Sequence, residues 1–271
     1  YVYSDGPKDI SENENVTICR KIIKKINWCK IKTKFNETNQ GIESVPELAI
    51  DWVFKKNKKA IILEDDTLPN LSFFYFCKHL LNKYEKNKNI SMISGTNLAP
   101  EYSKKINESY FFSKYSNIWG WATWRDKWKK YDKKIVKWPK FKESKLKSYS
   151  YYKKEYIWWN KMFELTYKNR SRNWDYQWTF VNFYKKKLSI VPKKNLISNI
   201  GVKGHGSNSS KLLNLKTNLI QFPLIHPKII KVNEYIDKYI CKKTYVIPNL
   251  DFRLKNKLTK IYNNLKNNIK N

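Results

Sequence analysis

The seven residues Ala60-Ile61-Ile62-Leu63-Glu64-Asp65-Asp66 constrain this chain more than any other stretch. Four consecutive apolar residues, two of them β-branched, predict a short buried strand of the kind found in parallel sheets. The run stops in three adjacent carboxylates, which repel one another and resist desolvation, so a strand ending this way needs a compensating charge. A divalent cation supplies it: Mg²⁺ and Mn²⁺ take oxygen ligands and keep part of their shell for substrate phosphates. In open α/β sheets ligands gather at the carboxyl ends of strands, where this triplet falls. The alternative for the same residues is a solvated acidic turn closed by Leu68-Pro69.

Elements on either side predict an α/β chain. Tyr1 to Ser4 reads as the end of a strand, followed by the turn Asp5-Gly6-Pro7. Val16 to Ile26 and Glu43 to Phe54 have helical spacing, with a weakly alternating Ile31 to Phe35 between them. The series strand, helix, strand, helix, strand is complete at Leu63 and predicts a mostly parallel sheet flanked by helices. A sheet of that kind normally opens with a strand and helix before Tyr1, so an N-terminal strand-helix unit is expected to be missing. Beyond Pro69, helices are predicted over Leu71 to Tyr84 and Tyr151 to Tyr167, and strands at Ile90 to Ser94, Ser109 to Ser113 and Leu188 to Pro192. Ile118 to Arg125 is expected to lead into a short helix through Trp128 and Tyr131. Lys133 to Tyr149 reads as a basic surface excursion, and Asn173 to Trp178 opens a further helix. Asn195 to Gly206 reads as a loop whose glycines flank His205. Helices are possible over Tyr235 to Tyr245 and Leu254 to Ile269, with a frayed Lys/Asn-rich end.

Composition narrows the function classes. The chain of 271 residues can bury a substantial core. Aromatic residues make up 16% of it, with 11 Trp and 19 Tyr, enough rings both to fill a core and to line a site that stacks flat ligands or sugars. No apolar run approaches the roughly 20 residues that span a bilayer. Cys19, Cys29, Cys77 and Cys241 are scattered and form no C-x-x-C pair, so they read as reduced thiols rather than a zinc site or disulfide framework. A cytoplasmic protein, peripheral at the inner membrane face, is the expectation. Lys+Arg number 55 against 23 Asp+Glu, a net charge of +32, which attracts anionic lipid headgroups, phosphorylated substrates or nucleic acid. Because the lysines are spread over every segment, a biased residue usage accounts for them as well as a ligand does.

Four stretches, in order, carry a resemblance: Ser4-Asp5-Gly6-Pro7, then Ile61 to Asp66 with Pro69 and the Phe-rich helix, then Trp119-Gly120-Trp121-Ala122-Thr123-Trp124-Arg125, then Trp174-Asp175-Tyr176-Gln177-Trp178 with Gly204-His205-Gly206 beyond it. With them the chain resembles bacterial glycosyltransferases of the GT-A (Rossmann-like) fold related to the eukaryotic N-acetylglucosaminyltransferase I group. The resemblance covers about the first 210 residues. It implies a GT-A glycosyltransferase domain over 1–210, N-terminally incomplete; beyond it, the Lys/Asn-rich residues 211–271 read as a basic helical extension, partly disordered. It further implies metal-dependent transfer, with inversion, from a nucleoside-diphosphate sugar, a UDP-sugar in the first instance, to a glycan or glycolipid acceptor. Asp66 is then the expected ligand of a Mn²⁺ or Mg²⁺ and Asp175 the expected general base. Asp5, Gly6, Glu64, Asp65 and His205 fall on the donor side, and Trp119, Gly120, Trp121 and Trp174 on the acceptor side. The structural alternative for Asp175 is a helix cap.

Two other function classes stay open at this stage. A basic nucleic-acid-binding protein would use aromatics amid lysines to stack single strands, although no helix-turn-helix, zinc-finger or RNP-type signature is present, and no specific nucleic-acid partner is expected. An inactive carbohydrate-binding remnant would keep the glycan surface without donor binding.

Overall fold

The computed structural model describes residues 1–201 and 215–246. Predicted elements appear in the predicted order at the N-terminus: strand β1 (Val2–Ser4), helix α1 (Asn13–Lys24), β2 (Thr33–Phe35), α2 (Val45–Phe54) and β3 (Lys59–Ile62). A short β4 (Thr67–Pro69) then precedes α3 (Leu71–Lys83), which is capped by Asn70 through a bond from Phe73 N to its side-chain oxygen. β5 (Ile90–Ser94), the single-turn α4 (Pro100–Ser103), β6 (Tyr110–Ser113) and β7 (Trp121–Trp124) follow, then α5 (Arg125–Trp128). The chain continues through α6 (Trp138–Ser144), α7 (Leu146–Tyr149), α8 (Lys153–Tyr167), α9 (Asp175–Tyr184), β8 (Leu188–Pro192), β9 (Ile197–Asn199) and α10 (Glu234–Cys241).

The fold is mixed α/β, but its main sheet is not mostly parallel. Its five strands run β3-β7-β5-β8-β6, and only the β5–β8 pair is parallel; β3–β7, β5–β7 and β6–β8 are antiparallel. β1 and β2 form a separate parallel pair. The source of the difference is β7. Trp121-Ala122-Thr123-Trp124, expected only to lead into a helix, is an internal strand inserted between β3 and β5, and a run of apolar residues carries no information on strand direction. Its side chains alternate: Ala122 and Trp124 face α3, whereas Trp121 faces the opposite side of the sheet. β3 is in turn the edge strand of this sheet and half-buried along its length, rather than the fully buried strand its composition predicts. Because β7 is antiparallel to both β3 and β5, the strands β3, β5 and β8 still point their carboxyl ends to one edge.

Three apolar clusters cover the sheet. Phe73, Phe76 and Leu80 of α3 pack on Ile93, Ala122, Trp124 and Ile190. On the other face Ile50 and Phe54 of α2 close over Met92, Trp121, Trp128, Trp174 and Trp178. A third cluster joins α8, α9 and α10 to Phe111 and Val191. It includes Ile135, Trp138, Phe141 and Leu146, so the segment Lys133 to Tyr149 is no surface excursion; its lysines stay in solvent while these four side chains are buried and two short helices form. Ile236, Ile240 and Cys241 of α10 belong to the same cluster, which ties α10, expected in an extension, into the core. Cys77 and Cys241 are buried thiols and Cys19 and Cys29 exposed ones, with none paired. Among the described residues no helix is long and apolar enough to cross a membrane.

Candidate active site

The triplet Glu64-Asp65-Asp66 sits in the tight link between β3 and β4. Thr67 fixes that link, its Oγ1 donating to Glu64 O (2.7 Å) and accepting from Glu64 N (3.0 Å). β4 then pairs antiparallel with β9, Thr67 opposite Asn199 and Pro69 opposite Ile197, so part of the expected 195–206 loop is a strand. This ladder places Asn199 Nδ2 3.2 Å from Asp66 Oδ2, and Ile200 N donates to Asp66 O at 2.8 Å. Gly201 presses on the same carboxylate: a Cβ built there would lie 2.5 Å from Asp66 Oδ2. The other oxygen, Asp66 Oδ1, is buried and has no hydrogen-bond partner among the described residues. An ionised oxygen in that state is costly unless a proton or cation meets it.

Asp175, the first residue of α9, lies near enough to Glu64 to act on its charge. Burial, then the neighbouring Asp66, Asp175 and Asp65, push the Glu64 carboxyl up to about 8, with a hydrogen bond from Trp174 working against them. Asp175 is itself pushed up to about 6, by burial against the opposing bond from its own backbone N–H. Tyr131, whose hydroxyl donates to Trp174 O at 3.1 Å, is raised by burial and then by Glu47 and Asp175; Tyr176 is raised to about 12 by burial and Asp175. Three carboxylates from two distant parts of the sequence thus form one acidic cluster, with Asp65 exposed beside it. Among the described residues no three His, Cys, Asp or Glu side chains form a ready-made metal cage. The donor set nevertheless fits Mg²⁺ or Mn²⁺, which are commonly held by one or two carboxylates together with substrate phosphates, and the unpartnered Asp66 Oδ1 is the oxygen such an ion would meet.

Residues expected on the two substrate sides take varied positions. Asp5 is held well inside the β1–β2 region: Oδ1 accepts from Gly6 N (2.9 Å), Gln40 N (2.9 Å) and Asn36 Nδ2 (3.1 Å), and Oδ2 accepts from Gly41 N (3.1 Å). Burial raises its pKa, but these bonds outweigh it and hold the carboxyl below its ordinary value. Gly6 is where the 38–41 loop crosses so closely that a Cβ would overlap Thr38 backbone. Both residues therefore build the loop that shapes this end of the sheet. Trp121 is completely buried, so it contacts no acceptor; it stacks on Trp174 (centroids 6.1 Å). Gly120 has φ +59, and its close neighbour is the Ile197 side chain. Trp174 is nearly buried, touching the site through Glu64 and Tyr131. Trp119 is half-buried, its carbonyl accepting from Thr96 Oγ1 at 2.7 Å. His205, with Gly204 and Gly206, lies outside the described residues.

Sequence reading missed Thr67, Tyr131, Asn199 and Gly201. Thr67 had a local signal, a hydroxyl residue three positions after Glu64 where such side chains close turns. Asn199 and Gly201 had none, because only the β4–β9 pairing brings them to Asp66. No protein-family model matches the chain, and no curated protein matches its sequence.

Proposed function

We propose that the chain is a metal-dependent, inverting glycosyltransferase of the GT-A type that moves a sugar from a nucleoside-diphosphate donor, a UDP-sugar first, to a glycan or glycolipid hydroxyl. The observation that carries this reading is the convergence of Glu64, Asp66 and Asp175 at the carboxyl end of β3, with one buried Asp66 oxygen unpartnered among the described residues. Asp66 would hold Mn²⁺ or Mg²⁺, and such an ion would supply the positive charge that the departing diphosphate needs. Asp175 joins the same cluster from α9 and takes the proton of the attacking hydroxyl; its elevated pKa of about 6 makes it a better base than an ordinary aspartate near neutral pH. Glu64, whose carboxyl burial and the neighbouring carboxylates push up to about 8 in the metal-free chain, lies on the donor side of the same group. Trp121, Trp128 and Trp178 pack with Trp174 and give the base an apolar backing on one side.

Calorimetric titration with UDP, with and without Mn²⁺, tests the donor half. Binding should require both the metal and Asp66, and an Asp66→Ala chain should show none. Equal binding by the two chains, or no binding by either, would overturn the reading. With a transferable donor in hand, Asp175→Asn should lower kcat by about 10²–10⁴-fold at nearly unchanged donor affinity.

A further inference from the structure

An exposed apolar face lies directly beside the candidate site. Leu68, two residues past Asp66, and the first two turns of α3 place large hydrophobic side chains in solvent: Leu71 is 68% exposed, and Phe74 and Tyr75 project beside it. A strap over 215–233, without regular structure apart from a single bridge at Val232, runs alongside the helix in step with it. Ile220 N donates to Ser72 Oγ at 3.1 Å, Phe222 meets Tyr75 edge to face at 6.4 Å, and His226 stacks on His79 at 5.4 Å. Ile220 and Leu224 anchor the strap in the core under α3, while Leu219, Phe222 and Ile225 point outward, Leu219 at 65% and Ile225 at 59% exposed. The anchors show that the strap is fixed, so its outward apolar residues are a built surface. Contiguous exposed apolar patches of this kind mark interaction sites.

The charge of the same face identifies the partner. Neither α3 nor 215–233 contains an Asp or Glu, whereas Lys78, Lys216 and Lys228 are exposed on them, as is Lys194, whose ammonium group donates to Leu219 O at 3.1 Å. Among the described residues none of these four lysines pairs with a carboxylate at 4.0 Å or less; the nearby Glu85 is taken by Lys59 at 2.8 Å. The acids at its edges are Glu108, close to the strap's later residues, Glu234 just past Asn233, which Lys238 pairs at 3.1 Å, and the triplet Glu64 to Asp66 just before Leu68. A carboxylate-free surface with apolar side chains at its centre and lysines at its rim complements a bilayer interface carrying anionic headgroups. We propose that the α3 and 215–233 face docks the protein on an anionic lipid surface, side chains such as Leu71 and Phe222 entering the headgroup region. Because Leu68 and Leu71 lie two and five residues past Asp66, docking also brings the acidic cluster to the membrane and selects a lipid-linked acceptor. That last consequence rests on the transferase reading; docking itself does not.

Flotation of the full chain with phosphatidylcholine vesicles, with and without phosphatidylglycerol, reads the docking alone, with no donor present. The chain should partition onto the phosphatidylglycerol vesicles. Leu71→Ser with Leu219→Ser and Ile225→Ser, three side chains that contribute little to the core, should lower partition at least about tenfold although the net charge is unchanged. Lys78→Gln with Lys216→Gln and Lys228→Gln should lower it about tenfold or more at low salt, and Lys21→Gln with Lys24→Gln and Lys25→Gln, at the end of α1 and just past it, should lower it by less than about twofold. Far-UV circular dichroism and melting of each variant verify the fold. Absence of partition onto anionic vesicles would overturn the proposal, as would undiminished partition of the apolar triple variant, which would reduce the effect to bulk charge. Self-association by sedimentation velocity that the apolar triple abolishes, without vesicle binding, would assign the face to a second copy of the chain and overturn the lipid reading.

Discussion

Glu64 shows how one residue ties stability to the site's chemistry. Its carboxyl is displaced upward from 4.5 to about 8, so the folded chain holds this proton more tightly than the unfolded one. The favourable contribution is complete below the unfolded value and is lost as pH rises towards the folded one. Asp175 has the same sign over 3.8 to about 6. Without divalent cation the protein should therefore lose stability between about pH 5 and pH 8. The Glu64 part is at most ~5 kcal/mol at 1.36 kcal/mol per tenfold, reduced to a few kcal/mol because the residue is half-buried. Glu64→Gln should flatten this slope, as read from urea unfolding midpoints at the two pH values in EDTA. A slope unchanged in the variant would mean that Glu64 ionises freely and that the cluster is well hydrated.

At the level of elements, local signals were reliable where one residue pattern answered one question. β3, β5 and β8, and helices α2, α3 and α8, were legible because their apolar spacing suited only one period. The cluster's two halves were legible too, as E-D-D at a strand end and Asp175 opening a helix. β7 was not, because Trp-Gly-Trp invites a turn and the strand is held only by its neighbours β3 and β5. β9 hid among Asn, Ser and Gly for the same reason. The placement of α10 rests on its apolar side chains and on a buried polar cluster around Lys114 that no spacing reveals. Lys114 on the β6–β7 connection bonds Glu155 of α8 at 2.9 Å, its backbone N–H donates to Asp237 of α10 at 2.9 Å, and its ammonium lies 3.7 Å from the Tyr151 ring centroid. Burial lowers the Lys114 pKa against the opposing Glu155, and burial pushes Asp237 up to about 7. Lys114→Met should cost about 3–5 kcal/mol by leaving Glu155 without its partner. Adding Glu155→Gln should recover part of that loss. If the single variant unfolds at the wild-type urea concentration, the pair does not hold α8 to the β6–β7 connection.

Across the whole molecule the charge works against compactness. Fifty-five basic residues face 23 acidic ones, and several of the acids are committed to the acidic cluster or to buried positions such as Glu155 and Asp237. Among the described residues only the Lys114–Glu155 pair is buried, the others being exposed contacts that add little. Self-repulsion of the surface lysines therefore outweighs their pairing, and screening should relieve more than it removes. Raising NaCl from about 10 mM to about 200 mM, which shortens the Debye length from ~30 Å to below ~10 Å, should raise Tm by several degrees. The test is a melting series in NaCl beside one in sodium sulfate at matched ionic strength. A Tm that falls with salt would mean that the exposed pairs stabilise the fold more than the excess charge destabilises it. A rise confined to sulfate would point instead to anion binding at particular lysines, since screening alone depends on ionic strength and not on which anion supplies it.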